Sequence, residues 1–467
     1  MSLDFQEGFC YNSRMKRHIY KKLLEWKNTS NGRTALLIDG ARRVGKSYIA
    51  EAFAKNEYAS YAIVDFAKAS KKVKRLFDEY LGDLDTFFLF LQQELKTELV
   101  AGNSLIIFDE VQRFPKARES IKYLVADGRY HYMETGSLIS MRKNVKDIVV
   151  PSEERHVKMF PMDFDEFLMA TGNQATIPLV EMHFSKRKAL GQDTHRRIMD
   201  VFRQYMVVGG MPQAVSAFVS THDLKAVESE KRDILELYRA DIGKFAGGMR
   251  HKVLSLWDQI PGQLSRHERK FRLSSIGENA RMRDYEDAFE WLKEAMTVNI
   301  AYNVTDPNVG FKMNEDRTTL KCYMGDTGLL VSHAFSENDL ASEGIHRRLL
   351  VGKIEVNRGM IVENIVAQML RAAGLELFFH SNSSRDNAQD RMEIDFLMTK
   401  SKVAKRKNVV PIEVKCGKDY STVSLEKFCR KFKSYADCPV VFHPLDVKTQ
   451  DGILYLPLYM AGMIAKG

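Results

Sequence analysis

LLIDGARRVGKS, residues 36–47, is an apolar run suited to a strand followed directly by GxxxxGKS. That pattern is a phosphate-binding loop. A nucleoside triphosphate carries several negative charges, so the chain must bring backbone N–H groups and a cation very close, and glycine lets the backbone wrap that tightly. Gly40, Ala41, Arg42, Arg43, Val44 and Gly45 form the loop, Lys46 is placed for the β- and γ-phosphates, and the hydroxyl of Ser47 is offered to Mg²⁺. YIAEAFA, residues 48–54, reads as the helix that such a loop opens. The expected ligands are ATP and Mg²⁺.

Working outward, SLIIFDE, residues 104–110, has four large apolar residues and then two carboxylates. A strand buried on both faces reads this way when its C-terminal tip enters a site. Asp109 is expected to hold Mg²⁺ through a water, and Glu110 to orient or deprotonate the water that attacks the γ-phosphate. HYMETGS, residues 131–137, is a further strand after a helical stretch from Pro115 to Asp127. At its end Thr135 or Ser137 is placed to hydrogen-bond the γ-phosphate, although a Thr-Gly-Ser turn has the same composition. Arg142 and Arg155 are candidates for an arginine that offsets transition-state charge, within or between subunits.

At 467 residues the chain exceeds what one hydrophobic core usually supports, so two or three domains are expected. The net charge of +9, 70 basic against 61 acidic residues, favours polyanionic partners, but the excess is small beside the total charge. The N-terminal stretch MSLDFQEGFCYNSRMKRHIYKKLLEW lacks the apolar core of a signal peptide. No run approaches the roughly 18 apolar residues of a membrane span, and a cytoplasmic protein without membrane partners is expected. The cysteines Cys10, Cys322, Cys416, Cys429 and Cys438 show no CxxC pair and no zinc-spaced histidine, which fits free thiols.

Residues 171–203 turn charged and helical, and Gly209, Gly210 and Pro212 then break the pattern, a plausible end to a helical lid. Two amphipathic helices follow from Leu224, then a short helix, a longer one, and two strand-like runs around the polar turn Asn314–Arg317. Helix, turn, helix and hairpin in that order suggest a winged helix. Its second helix would enter a major groove with Arg250, Arg281 and Arg283 near phosphates, but Asp284, Glu286, Asp287 and Glu290 on the same segment repel them. A winged helix used for protein contact is the alternative.

In the last third, GMIVENIVAQML, residues 359–370, is an apolar helix with one carboxylate, Glu363. MEIDFLM and VVPIEVKCG read as strands joined by the basic turn TKSKVAKRKN, whose lysines Lys400 to Lys407 suit backbone phosphates or a soluble hairpin tip. Asp395 lies in the first strand with Glu393 two positions away on the same face, and Glu413 and Lys415 share a face of the second. Asp395 and Glu413 could then share a Mg²⁺ that activates water, with Lys415 beside a scissile phosphate. Phe87, Phe88, Phe90, Tyr285 and Trp291 are read as packing, and His380 and His443 as core or surface histidines.

GARRVGKS, IIFDEVQRFP, TGS, RHVKMFPMDFDEFL and YMVVGGMP together resemble the AAA-superfamily ATPases of bacteria and archaea that carry a C-terminal domain of unknown function. The resemblance spans most of the chain. It departs from the usual loop in Ala41 for Pro, Arg43 for Gln and Ser47 for Thr, none of which removes a required group. It implies an α/β multidomain protein: an AAA-like parallel sheet flanked by helices with a helical lid (1–205), a helical and winged-helix domain (206–335), and a restriction-endonuclease-like domain similar to PD-(D/E)XK nucleases (336–467). Glu363, Asp395, Glu413 and Lys415 match that nuclease motif residue by residue, in helix, strand and strand order. The resulting expectation is an ATPase that switches a DNA-binding module with a second divalent metal site and metal-dependent cleavage. The alternative is a signalling switch whose C-terminal domains bind protein and whose acidic cluster is vestigial.

Overall fold

The computed structural model describes residues 16–136, 152–266, 268–308, 310–335, 344, 358–382, 391–400 and 408–466. Ser137, Arg142, Cys10 and residues 401–407 of the basic turn lie outside them.

Five strands, β1 (Ala35–Gly40), β2 (Ser60–Asp65), β3 (Ser104–Asp109), β4 (His131–Gly136) and β5 (Glu154–Met159), form a parallel sheet in the order β2-β3-β4-β1-β5. Alternate side chains of the inner strands β1, β3 and β4 feed two different cores. Leu36, Ile38, Leu105 and Ile107 pack on one face with Ile49, Phe53, Leu23 and Trp26 from the helices Lys46–Glu57 and Ile19–Ser30. Leu37, Ile106 and Phe108 pack on the other with Phe77, Phe87, Leu91 and Ile121 from the helices Lys71–Glu79, Leu84–Leu95 and Pro115–Asp127. This double burial explains why β1 and β3 read as continuous apolar runs. Phe87 and Phe88 are core residues, whereas Phe90 is 39 % exposed.

After β5 the chain is helical. Asp163 caps the helix Phe164–Ala170 by accepting from the Glu166 N–H, and Glu166 returns the bond to the Asp163 N–H, a reciprocal box that satisfies both donors. Helices Thr176–Lys186 and Gln192–Val208 follow, and the break falls at Gly209 and Gly210, as the composition predicts. Both glycines are required by close approach. A Cβ on Gly210 would stand 2.1 Å from the carbonyl oxygen of Met162, and one on Gly209 would stand 2.2 Å from Asp326 Oδ1. The buried Asp326 carboxylate accepts from the Gly210 N–H at 2.6 Å, the Leu329 N–H at 3.0 Å and Gln368 Nε2 at 3.2 Å. One side chain therefore ties the helical break to two later parts of the chain.

Helices Pro212–Thr221, Leu224–Phe245, Arg250–Leu264 and Met282–Glu294 lead into a mixed sheet of eight strands: β6 (Val298–Val304), β7 (Glu315–Met324), β8 (Leu377–Asn382), β9 (Met392–Thr399), β10 (Val409–Val414), β11 (Val440–His443), β12 (Lys448–Gln450) and β13 (Ile453–Pro457). Their order is β12-β13-β11-β10-β9-β8-β6-β7, with helices Arg358–Ala372 and Val423–Lys431 packed against it. Of the stretch expected to form the wing hairpin only β7 is a strand; its antiparallel partner β6 falls in VNIAYNV, which the helical pattern assigns to the end of the longer helix, and β6 also pairs in parallel with β8. The physical reason lies in β6 itself. All seven of its residues are buried, so it needs a partner on each edge and cover on each face, which an exposed wing does not supply. Phe311–Asn314 form a 3₁₀ turn, and Glu315–Arg317 are already in β7 rather than in a turn. Among the described residues no helix is long and apolar enough to cross a membrane.

The three donors that converge on Asp326 make it a sensitive point. Asp326→Ala leaves buried N–H groups unpaired and is expected to cost about 2–4 kcal/mol, read as a lower urea midpoint for unfolding.

Candidate functional site: a nucleotide-binding crevice and a C-terminal charge cluster

The C-terminal tips of β1, β3 and β4 lie side by side, because β4 sits between the loop strand and the strand ending in Asp109. Ligands of open parallel sheets bind in the crevice outside such tips. Gly40 ends β1 where a Cβ would stand 2.4 Å from the Met159 carbonyl oxygen on β5, so the loop can leave the sheet there only as glycine. Arg43 (φ 71°) and Gly45 (φ 96°) both adopt left-handed backbone, the conformation that turns successive N–H groups into an anion-binding nest. Lys46 opens the following helix and donates to the carbonyls of Gly40 and Ala41, each at 3.0 Å. Burial pulls its ammonium below the ordinary lysine value, against the opposing charges of Glu110, Asp39 and Asp109.

Ser47 Oγ donates to Asp109 Oδ1 at 2.7 Å, and the Thr135 hydroxyl donates to the same oxygen. The Glu110 N–H in turn points at Thr135 Oγ1, 3.4 Å away. Loop, helix start, β3 and β4 are thereby brought to one point. The Ser47 hydroxyl and the Asp109 carboxylate are hard oxygen donors in contact, and they fit a Mg²⁺ ion carried by a triphosphate. Glu110 has left-handed backbone (φ 53°), uncommon for a non-glycine residue and typical of strained functional positions. Its carboxylate accepts from Gln112 Nε2 at 2.7 Å and lies 3.9 Å from Arg113 Nε. Arg155 is on β5 beside Leu36, at the end of the sheet away from the loop, so within its own subunit it does not reach this crevice.

Several residues that shape the site carry no motif. Asp39 is buried beneath the loop, and burial pushes its carboxyl up to about 6, against Lys158, His156 and Lys46. Arg17 is buried behind the loop and donates to the Val44 carbonyl at 3.0 Å, to Glu166 at 3.0 Å and to the Phe160 carbonyl at 2.7 Å. From the helix Leu224–Phe245, Tyr238 OH donates to the Arg42 carbonyl at 3.0 Å, and Asp241 accepts from the Arg42 guanidinium at 2.7 Å. Asp39 is the one charge in LLIDG, which is the only signal in the sequence for any of these.

The C-terminal residues also converge, but on side chains that the sequence did not single out. Glu363, on the helix Arg358–Ala372, is buried and accepts from Arg269, from Tyr323 OH at 2.6 Å and from Lys321 Nζ at 3.2 Å. The same Lys321 Nζ lies 2.9 Å from Glu393 and 3.4 Å from Asp395 Oδ1. Asp395 Oδ2 accepts from the Val414 N–H at 2.9 Å, and Glu413 pairs with Lys415 at 2.6 Å. Arg269 and Lys321 hold Glu363 below the usual carboxylate range in spite of its burial. Burial and the charge of Glu363 push Asp395 up, and burial pushes Glu413 up to about 7 against the pull of Lys415. Among the described residues no three His, Cys, Asp or Glu side chains are arranged to hold a metal ion. Of the expected Asp395–Glu413 metal pair, Asp395 faces Lys321 and the Val414 N–H, and Glu413 faces Lys415.

Elsewhere Lys400 pairs with Asp437 at 2.6 Å. On the segment read as a recognition helix, Glu290 bonds Lys293 and Tyr302 at 3.1 and 2.9 Å, and Glu286 faces Arg317 at 3.7 Å. His380 and His443 are buried and bonded, His380 to the Val304 carbonyl at 2.7 Å and His443 to Tyr420 OH at 2.7 Å.

Family models match three stretches: an AAA domain over residues 32–168, a domain of unknown function (DUF8612) over 199–339 and a second (DUF4143) over 358–460. No curated protein matches in sequence. Similar solved structures include a Walker-type ATPase of Pyrococcus abyssi, 14 % identical over 68 % of this chain and 95 % of that one, with a TM-score of 0.41. The ORC2 protein of Aeropyrum pernix is 14 % identical over 72 % and 92 %, TM-score 0.34, and DnaA from Aquifex aeolicus is 10 % identical over 60 % and 86 %, TM-score 0.29. The chain carries an AAA-type domain for ATP binding and hydrolysis, followed by two domains of unknown function.

Proposed function

We propose that ATP binding and hydrolysis at Gly40–Ser47, Asp109 and Glu110 reposition the helical region against the ATPase sheet, so that the protein works as an ATP-driven switch for a partner bound by its C-terminal half. The observation that carries this reading is the grip of the helix Leu224–Phe245 on the loop itself, through Asp241 on the Arg42 guanidinium and Tyr238 on the Arg42 carbonyl. A loop that changes shape with its nucleotide must then push or release that helix.

The residues divide the work. Loop N–H groups and Lys46 bind the phosphates, and to do so the Lys46 ammonium exchanges the Gly40 and Ala41 carbonyls for phosphate oxygens. Mg²⁺, held by Ser47 and through water by Asp109, would neutralise charge on the β- and γ-phosphates. Glu110 accepts a proton from, or orients, the attacking water, and the Gln112 amide fixes its carboxylate in place. Thr135 bridges Asp109 and the Glu110 backbone, so it is placed to sense whether the γ-phosphate is present.

A protein partner suits the acidic face of the helix Met282–Glu294 better than DNA does. The net charge of +9 favours a nucleic-acid partner instead. Filter binding with duplex, branched and single-stranded DNA at two salt concentrations decides between them: a nucleic-acid partner gives retention that falls steeply as salt rises, and a protein partner gives none.

Lys46→Ala is expected to abolish tight ATP binding, while Glu110→Gln keeps binding and slows turnover by about 10²-fold or more, both read by nucleotide binding and phosphate release. Wild-type turnover by Glu110→Gln would show that another group activates the water. For the coupling, Asp241→Ala should leave ATP affinity within a few-fold of wild type yet erase the ATP-dependent change in hydrogen exchange over residues 224–245. An unchanged exchange response in that variant would dismiss the Arg42 contact as the transmitter.

A further inference from the structure

We propose that the ammonium of Lys321 permanently occupies the cation position of the C-terminal carboxylate cluster, so that this nuclease-like site is a metal-free ionic lock joining the helix Arg358–Ala372 to the eight-stranded sheet. Lys321 Nζ lies 3.2, 2.9 and 3.4 Å from the carboxylates of Glu363, Glu393 and Asp395, donating hydrogen bonds to Glu363 and Asp395 and pairing by charge with Glu393. These are ion-pair distances between protein groups, and the lysine side chain is 0 % exposed.

The remaining oxygens of those carboxylates are also engaged. Glu363 Oε2 accepts from Arg269, Asp395 Oδ2 accepts from the Val414 N–H at 2.9 Å, and Glu393 Oε2 lies 3.7 Å from Lys270 Nζ. Counting Glu413 with Lys415, the four carboxyl groups of Glu363, Glu393, Asp395 and Glu413 face the four cations Arg269, Lys270, Lys321 and Lys415, so carboxyl groups are not in excess of cations. A divalent ion needs carboxylates in excess and direct oxygen contacts near 2.0–2.6 Å. Here it would add two charges to a group without that excess and would meet the ammonium head on. The Lys321 side chain is fully buried and rises from β7, in register with Ala301 of β6.

Three of the four cations, Arg269, Lys270 and Lys321, come from the region ahead of the helix Arg358–Ala372, and the carboxylates come from that helix and the strands after it. The lock therefore fastens the segment containing β7 to the C-terminal elements with charge, at the place where the nuclease resemblance would put catalytic chemistry. The inference is independent of which partner the ATP switch serves.

Titration calorimetry with MnCl₂ on the nucleotide-free, full-length protein tests it. Wild type, Glu393→Gln and Asp395→Asn should give the same Mn²⁺ uptake, and any that is present should disappear in Asp109→Asn. Lys321→Ala should take up an additional Mn²⁺, and its melting temperature, lowered in chelator, should recover on adding Mn²⁺ while that of wild type does not move. Mn²⁺ uptake by wild type that survives Asp109→Asn but is lost in Glu393→Gln overturns the proposal, as does a folded Lys321→Ala protein that binds no further Mn²⁺. Should Lys321→Ala not fold, the titrations of wild type, Asp109→Asn and Glu393→Gln decide alone.

Discussion

One carboxylate oxygen of Asp109 accepts hydrogen bonds from the hydroxyls of both Ser47 and Thr135, and the nucleotide crevice depends on that meeting. The three residues arrive from the helix after the loop, from β3 and from β4. They can meet because a parallel sheet buried on both faces has polar chemistry to offer only at its strand tips. The hydrophobic alternation that builds two cores thus also gathers the hydroxyls, the carboxylates and the loop at one end of the sheet. Arg17 from behind and the Leu224–Phe245 helix from the side hold the loop in that place.

How much of this could be read from the sequence depended on whether a group was local. LLIDGARRVGKS and SLIIFDE disclose their strands because burial on both faces leaves unbroken apolar runs, and each discloses its chemistry because the polar residues follow the run directly. The break at Gly209 and Gly210 was legible for the same reason. Arg17, Asp241 and Tyr238 were not, since nothing in the neighbouring sequence of an isolated arginine or a helical aspartate says that it reaches the loop, whether across 27 residues, as Arg17 does to Val44, or across 199, as Asp241 does to Arg42. The wing failed on a different ground. Only β7 lies in the expected hairpin, β6 falls in the stretch expected as the end of the longer helix, and its second partner β8 comes after a long interval of chain; strand order in a sheet is not written in the periodicity of any strand.

The C-terminal cluster shows both effects at once. Glu363, Asp395, Glu413 and Lys415 were identifiable by order and residue type, and they do converge. The residue that decides what they do, Lys321, sits in LKCYM, the single charge in the buried second half of β7. A lone charge inside a buried strand must find opposite charge or pay heavily for desolvation, so its presence was itself a sign that carboxylates lay opposite. Asp326 follows the same rule with N–H groups in place of charges. Buried polar groups of this kind make the joints between regions specific, while the apolar contacts around them supply most of the cohesion.

The two matched regions of unknown function meet between residues 339 and 358, yet a single sheet runs through both, with β6 and β7 on one side of that interval and β8 to β13 on the other. Family boundaries here are not folding boundaries. A chain ending before residue 358 would keep β6 but lose the strand that covers its outer edge, leaving a normally buried strand with open backbone donors and acceptors, the kind of surface that seeds intermolecular pairing. Truncation at that point should yield insoluble material instead of an autonomous ATPase, and gene fusions or shuffled domains in this architecture would have to carry both halves of the sheet together.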